Sequence, residues 1–135
     1  MVASDPRADV VSVFEDLFAA LLQRRDASAA ARLFVNDCDP VMWGSDEAER
    51  ATGHTPIAEL HRGIARFAGD LAFQWHERHV HLKGDVAWIN AAGELVVTPA
   101  GQPPHTSPYR LTAVFVWRDG SWRWHTFNGS EPNPG

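Results

Sequence analysis

His61 is a side chain whose type and position in the sequence fit proton transfer. It follows Ile57 by four residues and precedes Ile64 by three, so it falls on the apolar stripe of a predicted helix and points partly inward. A histidine in such a place can act as a general acid or base near neutral pH. The alternative is a core histidine that makes one hydrogen bond and takes no part in chemistry.

An acidic loop is the second source of groups that could move a proton. Asp46, Glu47 and Glu49 follow the short apolar segment 41–43, which predicts a strand. A carboxylate at the end of a pocket can act as a base. Asp46 is the candidate that we take from this loop, provided that the loop turns a carboxylate inward. A solvated acidic loop is the alternative.

Polar side chains on the predicted final hairpin could hold an oxygen atom of a ligand. A three-residue hairpin loop at 118–120 pairs Thr112 with Thr126, although a two-residue turn would shift this register. The same register puts Arg110 and Asn128 on the face of that pair. A guanidinium beside neutral hydrogen-bonding groups can receive a carboxylate, enol or carbonyl oxygen. We therefore assign this face to a pocket, with a solvent-exposed arginine as the alternative.

Six tryptophans are many for a chain of 135 residues. A buried indole needs a partner for its N–H group or a partly wet site, so tryptophans are common in pockets and interfaces. We predict that Trp43, Trp88 and Trp124 wall the pocket. Packing in the core or in an interface explains any one of them equally well.

Two histidines have a spacing that can ligate a metal ion. His79 and His81 lie two residues apart and so share one face of a predicted strand. No third ligand stands at a telling distance in the sequence, so we predict neither a metal nor a cofactor. Cys38 has no activating partner near it in the sequence, which predicts a buried and inert thiol.

The length and charge of the chain limit the classes of function. The 135 residues fit a single domain, 1–135, and the net charge of -5 gives no basic surface for nucleic acid. No apolar run approaches the roughly 20 residues that would span a membrane. The single cysteine cannot form an internal disulfide, and no secretion leader precedes the first predicted helix, so we expect a cytoplasmic protein.

Three helices are predicted in the first half of the chain. Asp5, followed by a proline, opens the first helix, and Asp26 caps a second, short one. Thr55, again followed by a proline, opens a third helix that ends near Gly69. A helix hairpin, a short strand and a third helix thus precede the rest of the chain.

Everything after the third helix predicts antiparallel sheet. The apolar positions change parity between Trp75 and Val80, which predicts a β-bulge that bends the sheet. The segment 99–108 is rich in proline and glycine and predicts a loop. The last hairpin joins 109–117 to 121–128. This order of elements predicts an α+β fold.

Both faces of the predicted final hairpin carry many apolar side chains. An antiparallel sheet usually leaves one face in water. Two apolar faces therefore predict that one face meets the helices and the other meets a second copy of the chain. We expect a homodimer that forms through the sheet face.

Four segments carry a resemblance to a known family. Residues 84–88 read Gly-Asp-Val-Ala-Trp, 110–112 read Arg-Leu-Thr, 118–122 read Arg-Asp-Gly-Ser-Trp and 127–130 read Phe-Asn-Gly-Ser. The series resembles the Gly-Asp-Val-Ala, Arg-x-Thr, Asp-Gly-x-Trp and His-x-Ser signatures of SnoaL-like domains, which belong to the nuclear transport factor 2-like superfamily. It also resembles the association domain of calcium/calmodulin-dependent kinases. Asn128 stands where the family has the histidine of His-x-Ser.

The resemblance implies three helices packed on a strongly curved antiparallel or mixed sheet that forms a cone-like pocket for a small molecule. It also implies that Arg110, Thr112 and Asn128 line that pocket. Because the superfamily holds enzymes and non-catalytic domains, two functions stay open. One is a cofactor-free isomerase, cyclase or dehydratase, and the other is a non-catalytic ligand-binding or dimeric association domain. The asparagine at position 128 and the lack of a carboxylate in the first strand favour the second.

Overall fold

The protein has three helices and one six-stranded sheet in a computed structural model that describes residues 5–37 and 39–133. The helices are α1 (Pro6–Phe18), continued by a π-helical turn (Ala19–Gln23), α2 (Ala27–Arg32) and α3 (His54–Ala65). The strands are β1 (Val41–Trp43), β2 (Arg50–Thr52), β3 (Gly69–Lys83), β4 (Val86–Pro99), β5 (His105–Arg118) and β6 (Ser121–Ser130). Cys38, for which an inert thiol was predicted, lies outside the described residues.

The six strands form one open, mixed sheet in the order β2-β1-β6-β5-β4-β3. β1 runs parallel to β6, and all other neighbouring strands in this order are antiparallel. The helices pack on one face of the sheet, which we call the inner face. The predicted α+β class, with three helices on a mixed sheet, is confirmed.

The predicted helix caps are present. The side chains of Asp5 and Asp26 each accept a hydrogen bond of 3.0 Å from a backbone N–H group in the first turn of their helices. α3 begins at His54, one residue before the predicted Thr55, because Gly53 precedes it with a φ angle of 96°. Residues with a Cβ atom rarely adopt that angle, so the glycine ends the loop and turns the chain into α3.

The bulge that the parity change predicted is present in β3. The pairing of β3 with β4 shifts register between Trp75 and Glu77, and the apolar residues on both sides of the shift face inward. An extra residue at this point bends the strand. The bulge thus keeps Trp75 and Val80 on the same face although they are five residues apart, and both pack against the core.

The predicted loop 99–108 is wrong in its second half, because β5 already begins at His105. Pro108 pairs with β4, but β6 reaches only as far as the residue opposite Arg110. The start of β5 is therefore an edge strand on that side. A proline, which has no N–H group to donate, is tolerated there.

The predicted register of the final hairpin is wrong. The hairpin turns through two residues, Asp119 and Gly120, whose φ angles are both positive at 51° and 82°. Phe115 therefore pairs with Trp124, and Thr112 pairs with Asn128 and not with Thr126. A second bulge, between the pairs made by Val114 and Phe115, shifts the register again.

These two irregularities decide which side chains share a face. The inner face of the hairpin carries Tyr109, Leu111, Ala113, Phe115, Trp122, Trp124 and Phe127, all of them buried. The opposite, outer face carries Arg110, Thr112, Val114, Val116, Thr126 and Asn128. The prediction that Trp124 shares a face with Arg110 is therefore wrong.

Trp124 is the centre of the core between the sheet and the helices. Its ring is fully buried and stacks with Phe14 of α1 at 5.8 Å and with Phe34 after α2 at 5.7 Å between ring centroids. Its indole Nε1 donates a hydrogen bond of 3.0 Å to the backbone carbonyl of Val13. Burial with a satisfied N–H group makes this tryptophan a packing residue.

In the described part of the chain, no helix is long and apolar enough to cross a membrane.

Candidate functional site

An apolar cavity of about 110 Å³, partly open to solvent, lies between the helices and the inner face of the sheet, where β3 and β5 begin. Its apolar lining comes from α1, the π-helical turn, α3 and four strands, and consists of Leu17, Phe18, Leu21, Leu22, Met42, Leu60, Ile64, Leu71, Phe73, Leu95 and Phe127. Its polar groups are Ser45, Glu49 and Tyr109. They stand together at the end of the cavity that the loop between β1 and β2 covers.

Glu49 reaches the cavity because the loop between β1 and β2 folds back on itself. Gly44 N–H donates to the Glu49 carbonyl at 2.7 Å, and Glu49 N–H donates to the Asp46 carbonyl at 2.9 Å. The Glu49 side chain then lies directly over Gly44, where an added Cβ atom would come within 3.0 Å of it. The glycine thus leaves room for the carboxyl group at the end of the cavity.

The surroundings of Glu49 favour its protonated form. Burial raises the pKa of this carboxyl group, and the negative charges of Asp46 and Glu131 raise it further, while the Asp46 N–H group that donates to it opposes the shift. A carboxylate with a raised pKa is a better proton acceptor near neutral pH than an ordinary surface carboxylate. Glu49 is therefore the proton-transferring group that the cavity offers.

Tyr109 is the second polar group of the cavity and is 3% exposed. Its ring packs edge-on against Phe73 at 4.8 Å between centroids, and its hydroxyl group lies over Gly129, where an added Cβ atom would overlap it at 1.9 Å. Burial, followed by the charges of Glu49 and Glu131, raises the pKa of Tyr109, while a hydrogen bond with Ser45 lowers it. Tyr109 therefore stays protonated at neutral pH and can donate a hydrogen bond.

The carboxylate of Glu131 connects the loop that carries Glu49 to the strand that carries Tyr109. Glu131, just after β6, accepts a hydrogen bond of 2.9 Å from the Ser45 hydroxyl and one of 2.7 Å from the Ser107 hydroxyl. Each serine uses a different carboxylate oxygen. Ser45 belongs to the loop that carries Glu49, and Ser107 to the strand that carries Tyr109.

A wider, open groove of about 820 Å³ lies at the other end of the sheet, beside the turns that follow β3 and β5. Trp117 stands on its rim, and of its carboxylates Asp16 and Asp85 are exposed while Asp9 is half-buried. The small cavity is the better candidate site although the groove is larger, because the cavity is apolar and holds two groups with shifted pKa values.

Comparison with known proteins assigns the family. A sequence profile described as a SnoaL-like domain matches residues 10–134. The chain belongs to the SnoaL-like domain family. The resemblance drawn from the signature segments of this SnoaL-like chain is thereby confirmed. No curated protein matches its sequence.

Solved structures of the nuclear transport factor 2-like superfamily share the fold of this SnoaL-like chain. A Streptomyces avermitilis protein, provisionally described as a dehydratase of that family, superposes with a TM-score of 0.83 at 15% identity, over 94% of this chain and 96% of the other. A Xanthomonas campestris protein, provisionally described as a calcium/calmodulin dependent protein kinase II association domain, gives 0.79 at 19%, over 100% and 94%. A ketosteroid isomerase-like protein from Erwinia carotovora atroseptica gives 0.76 at 21%, over 98% and 100%.

The polar set predicted to line the cavity lies elsewhere in the SnoaL-like chain. Arg110, Thr112 and Asn128 are exposed on the outer face, where the Thr112 hydroxyl donates to the Asn90 side chain at 3.3 Å. They border a shallow hollow of about 510 Å³ on that face. These three side chains do not line the cavity beneath the helices, because outward positions alternate with Tyr109 and Leu111 along β5, and their binding of a ligand stays a prediction.

The remaining predicted ligand-binding residues also lie outside the cavity lining of this SnoaL-like domain. Trp43 donates from Nε1 to the Thr52 hydroxyl at 3.3 Å, and Trp88 stacks on His81 at 5.4 Å between centroids on the outer face. Thr126 lies on the outer face and shares a hydrogen bond of 2.7 Å with Nδ1 of its neighbour His125. Trp124 fills the core. The cavity is walled mainly by leucine and phenylalanine side chains.

Asp46 and His61, the two predicted proton-transfer residues, lie in different environments, and neither lines the cavity. Asp46 is exposed, and its carboxylate accepts a hydrogen bond of 3.0 Å from the Ala48 N–H group within the loop. His61 is 0% exposed, and its Nε2 atom lies 3.1 Å from the Met42 sulfur, but the ring is not among the residues that line the cavity. The acidic loop does turn a carboxylate inward, and that carboxylate is Glu49.

Tyr109 is a functional candidate that the sequence analysis missed. It is the chain's only tyrosine, and it immediately precedes the Arg110 that was assigned to the pocket. Since alternate residues of a strand point to opposite faces, the error at Arg110 also turned Tyr109 away from the site. The sequence signal that indicates the correct face is the two-residue turn at Asp119 and Gly120, because it pairs Trp124 with Phe115 and so places Trp124 on the face of Tyr109.

The predicted histidine pair shows other contacts in the structure. The His79 ring lies 2.6 Å from the Glu77 carboxylate, and His81 stacks on Trp88. Across residues 5–37 and 39–133, no three side chains of histidine, cysteine, aspartate or glutamate stand close enough together to hold a metal ion.

Proposed function

We propose that this SnoaL-like protein binds a small, neutral oxygen compound in the cavity and transfers a proton on it without a cofactor, as in an isomerisation or a dehydration. The observation that carries the proposal is the pair Glu49 and Tyr109, one a proton acceptor and the other a hydrogen-bond donor, at the polar end of an apolar cavity. Shifted pKa values in a concave apolar site are typical of acid–base catalysis.

The chemistry of a ketone illustrates how the two groups work together. The carbonyl oxygen of the ketone accepts a hydrogen bond from the Tyr109 hydroxyl, and the Glu49 carboxylate removes a proton from the neighbouring carbon. The C–H electron pair moves into the carbon–carbon bond, and the resulting enolate oxygen is stabilised by the tyrosine. In a β,γ-unsaturated ketone the enolate extends into a dienolate, and protonated Glu49 returns the proton to the γ-carbon, so that the double bond moves into conjugation with the carbonyl group.

The size and charge of the cavity define the class of ligand. This cavity of about 110 Å³ is smaller than the engineered apolar cavity of roughly 150 Å³ that holds benzene, but it is partly open to solvent, so it suits a short chain or part of a single small ring. Glu49 is the charged residue of the lining, and the described lining holds no arginine, lysine or histidine. We therefore expect a neutral ligand, in contrast to the carboxylate that Arg110 suggested in the sequence.

The superposed structures support a reaction of this class. One is provisionally described as a dehydratase and another as ketosteroid isomerase-like, and both reactions move protons on a small molecule. At such low sequence identity the similarity shows only a shared fold, so the reaction proposed for this chain depends on Glu49 and Tyr109. The single cysteine is compatible with a cytoplasmic enzyme, which is the location that we propose.

A thermal-shift experiment with two matched compounds tests where and what the protein binds. Cyclohexanone at about 100 times its dissociation constant should stabilise the folded state by about 2.7 kcal/mol, and cyclohexanecarboxylate should give no shift because its charge faces Glu49 and Glu131. Arg110→Ala should respond like the wild type. Stabilisation by the acid that disappears in Arg110→Ala would contradict the proposal and move the site to the outer face.

A second candidate function is self-association through the outer face of the sheet. No helix of the described chain covers that face, and Trp88, Val114 and Val116 form a half-buried apolar centre on it. One superposed structure is provisionally described as an association domain. The predicted homodimer is part of this proposal, since a second copy would cover these side chains.

Light scattering during size-exclusion chromatography measures this association. We expect about twice the 15.0 kDa of one chain for the wild type and a single chain for Val114→Lys, which puts a charge in the apolar centre. Thr106→Lys, at an exposed position on the same strand, serves as the control and should remain a dimer. A wild-type monomer at micromolar concentration would remove the second candidate.

A further inference from the structure

We infer that Glu131 is a positioning residue, which fixes the loop carrying Glu49 over the end of the cavity by joining Ser45 to Ser107. The inference rests on the role proposed for Glu49. Neither signature segments nor spacing in the sequence pointed to Glu131, because it follows the last strand in a polar tail. Its part in the site comes from the geometry alone.

The position of Glu131 follows from the parallel pairing of β1 with β6. Trp43 lies beside Asn128 in that pairing, so the chain leaving β1 runs past the end of β6. Ser45 thereby meets Glu131, although 86 residues separate them in the sequence. Ser107 approaches from the other side, since β5 is antiparallel to β6. The carboxylate thus joins the loop after β1 to β5, and β1 and β5 are both adjacent to β6.

The hydrogen bonds that join Ser45, Glu131 and Ser107 hold the loop that carries Glu49. Between Ser45 and Glu49 the loop contains only its own turn, closed by the hydrogen bonds that Gly44 and Glu49 make through the backbone. The loop has no regular secondary structure between β1 and β2, so its contacts with the sheet set the distance of Glu49 from the cavity. The Ser45–Glu131 hydrogen bond is such a contact, and the hydroxyl that makes it also contacts Tyr109.

The charge of Glu131 acts on the same group as its hydrogen bonds. The titratable groups that face Glu49 are Asp46 from its own loop, Tyr109 from β5 and Glu131 from the end of β6, while α1 and α3 present apolar side chains. The negative charge of Glu131 raises the pKa of Glu49. Removing that charge while keeping the hydrogen bonds should therefore lower the pKa of Glu49.

Carboxyl NMR titration and amide hydrogen exchange on the ligand-free protein separate these two effects. In Glu131→Gln the amide can accept from one serine and donate to the other, so the loop should stay in place while Glu49 titrates at lower pH than in the wild type. In Glu131→Ala the Gly44 amide should exchange about tenfold faster, because the hydrogen bonds to a charged acceptor are gone. Glu49→Gln identifies the Glu49 resonance.

Glu47→Gln is the matched control, since Glu47 is an exposed carboxylate of the same loop that pairs with Arg50. It should change neither the Glu49 titration nor the Gly44 exchange. An unchanged Glu49 titration in Glu131→Gln, or unchanged Gly44 exchange in Glu131→Ala, would overturn the inference. Because no ligand is present, these results stand or fall separately from the proposed reaction.

Discussion

Replacing Glu49 by glutamine is expected to slow protein-dependent exchange of the α-hydrogens of cyclohexanone with D₂O by about 10²–10⁴-fold, the usual contribution of a general base. Glutamine has nearly the same shape as glutamate and can still accept from the Asp46 N–H group that contacts the carboxylate. It cannot take up a proton. The exchange is followed directly by the loss of the α-hydrogen signal in proton NMR spectra.

Two further variants isolate the role of Glu49 in that exchange. Glu47→Gln removes an exposed carboxylate from the same loop and should leave the rate unchanged. Tyr109→Phe keeps the ring beside Phe73 but removes the hydroxyl, so it should slow exchange by losing stabilisation of the enolate oxygen. If Glu49→Gln exchanged cyclohexanone as fast as the wild type, Glu49 would not be the base.

The pH dependence of this exchange follows from the raised pKa of Glu49. Only the carboxylate accepts a proton, so the rate should fall as the pH is lowered through the pKa of Glu49. Because that pKa is raised, the fall should begin at higher pH than for an ordinary glutamate. Tyr109, whose pKa is also raised, stays protonated across the same range and should add no second step near neutral pH.

The second large effect concerns stability, and we expect acid to destabilise the protein through His61. Burial, followed by the charge of His54, lowers the pKa of His61 to about 4, and the Ala27 carbonyl offsets this only in part. An unfolded chain protonates this histidine near pH 6.5. Between these values the unfolded state holds more protons, so the free energy of unfolding should fall by about 3 kcal/mol as the pH drops from 6.5 to 4.

His61→Leu should remove this contribution, as measured by urea unfolding at a series of pH values. The Ala27 carbonyl makes no hydrogen bond of regular geometry with the buried ring, because Nδ1 has no hydrogen-bond partner within the described residues, and Nε2 faces the weakly accepting sulfur of Met42. Leucine should therefore leave stability at pH 7 equal or higher. His105→Gln, at an exposed position, should keep the wild-type slope. Parallel curves for wild type and His61→Leu would refute the assignment.

The sequence predicted correctly those features that depend only on residues near them in the chain. The caps at Asp5 and Asp26 and the bulge after Trp75 each depend on a few neighbouring residues, and the structure confirms all three. The α+β class followed from the order of such elements. The start of β5 at His105 did not, because a strand at a sheet edge tolerates the proline that suggested a loop.

The site was harder to predict because single-residue shifts decide which side chains enter it. The turn at Asp119 and Gly120 pairs Trp124 with Phe115 and so places it on the inner face, and the bulge beyond Val114 returns Asn128 to the outer face opposite Thr112. One shift of register exchanges the two faces of a strand. The acidic loop was recognised, but the choice of Glu49 over Asp46 depends on a hydrogen bond that closes only in the folded loop.

The parallel pairing of β1 with β6 also has a consequence for the order of folding. The hairpins β3–β4, β4–β5 and β5–β6 join strands that are neighbours along the chain. Met42 of β1, in contrast, pairs with Phe127 of β6, so β1 can join the rest of the sheet only after β6 has formed. Closing so long a loop is entropically costly and typically late. During synthesis, the helices and the first hairpin can therefore form on a ribosome-bound chain, whereas the cavity floor is completed only after the last strand has emerged.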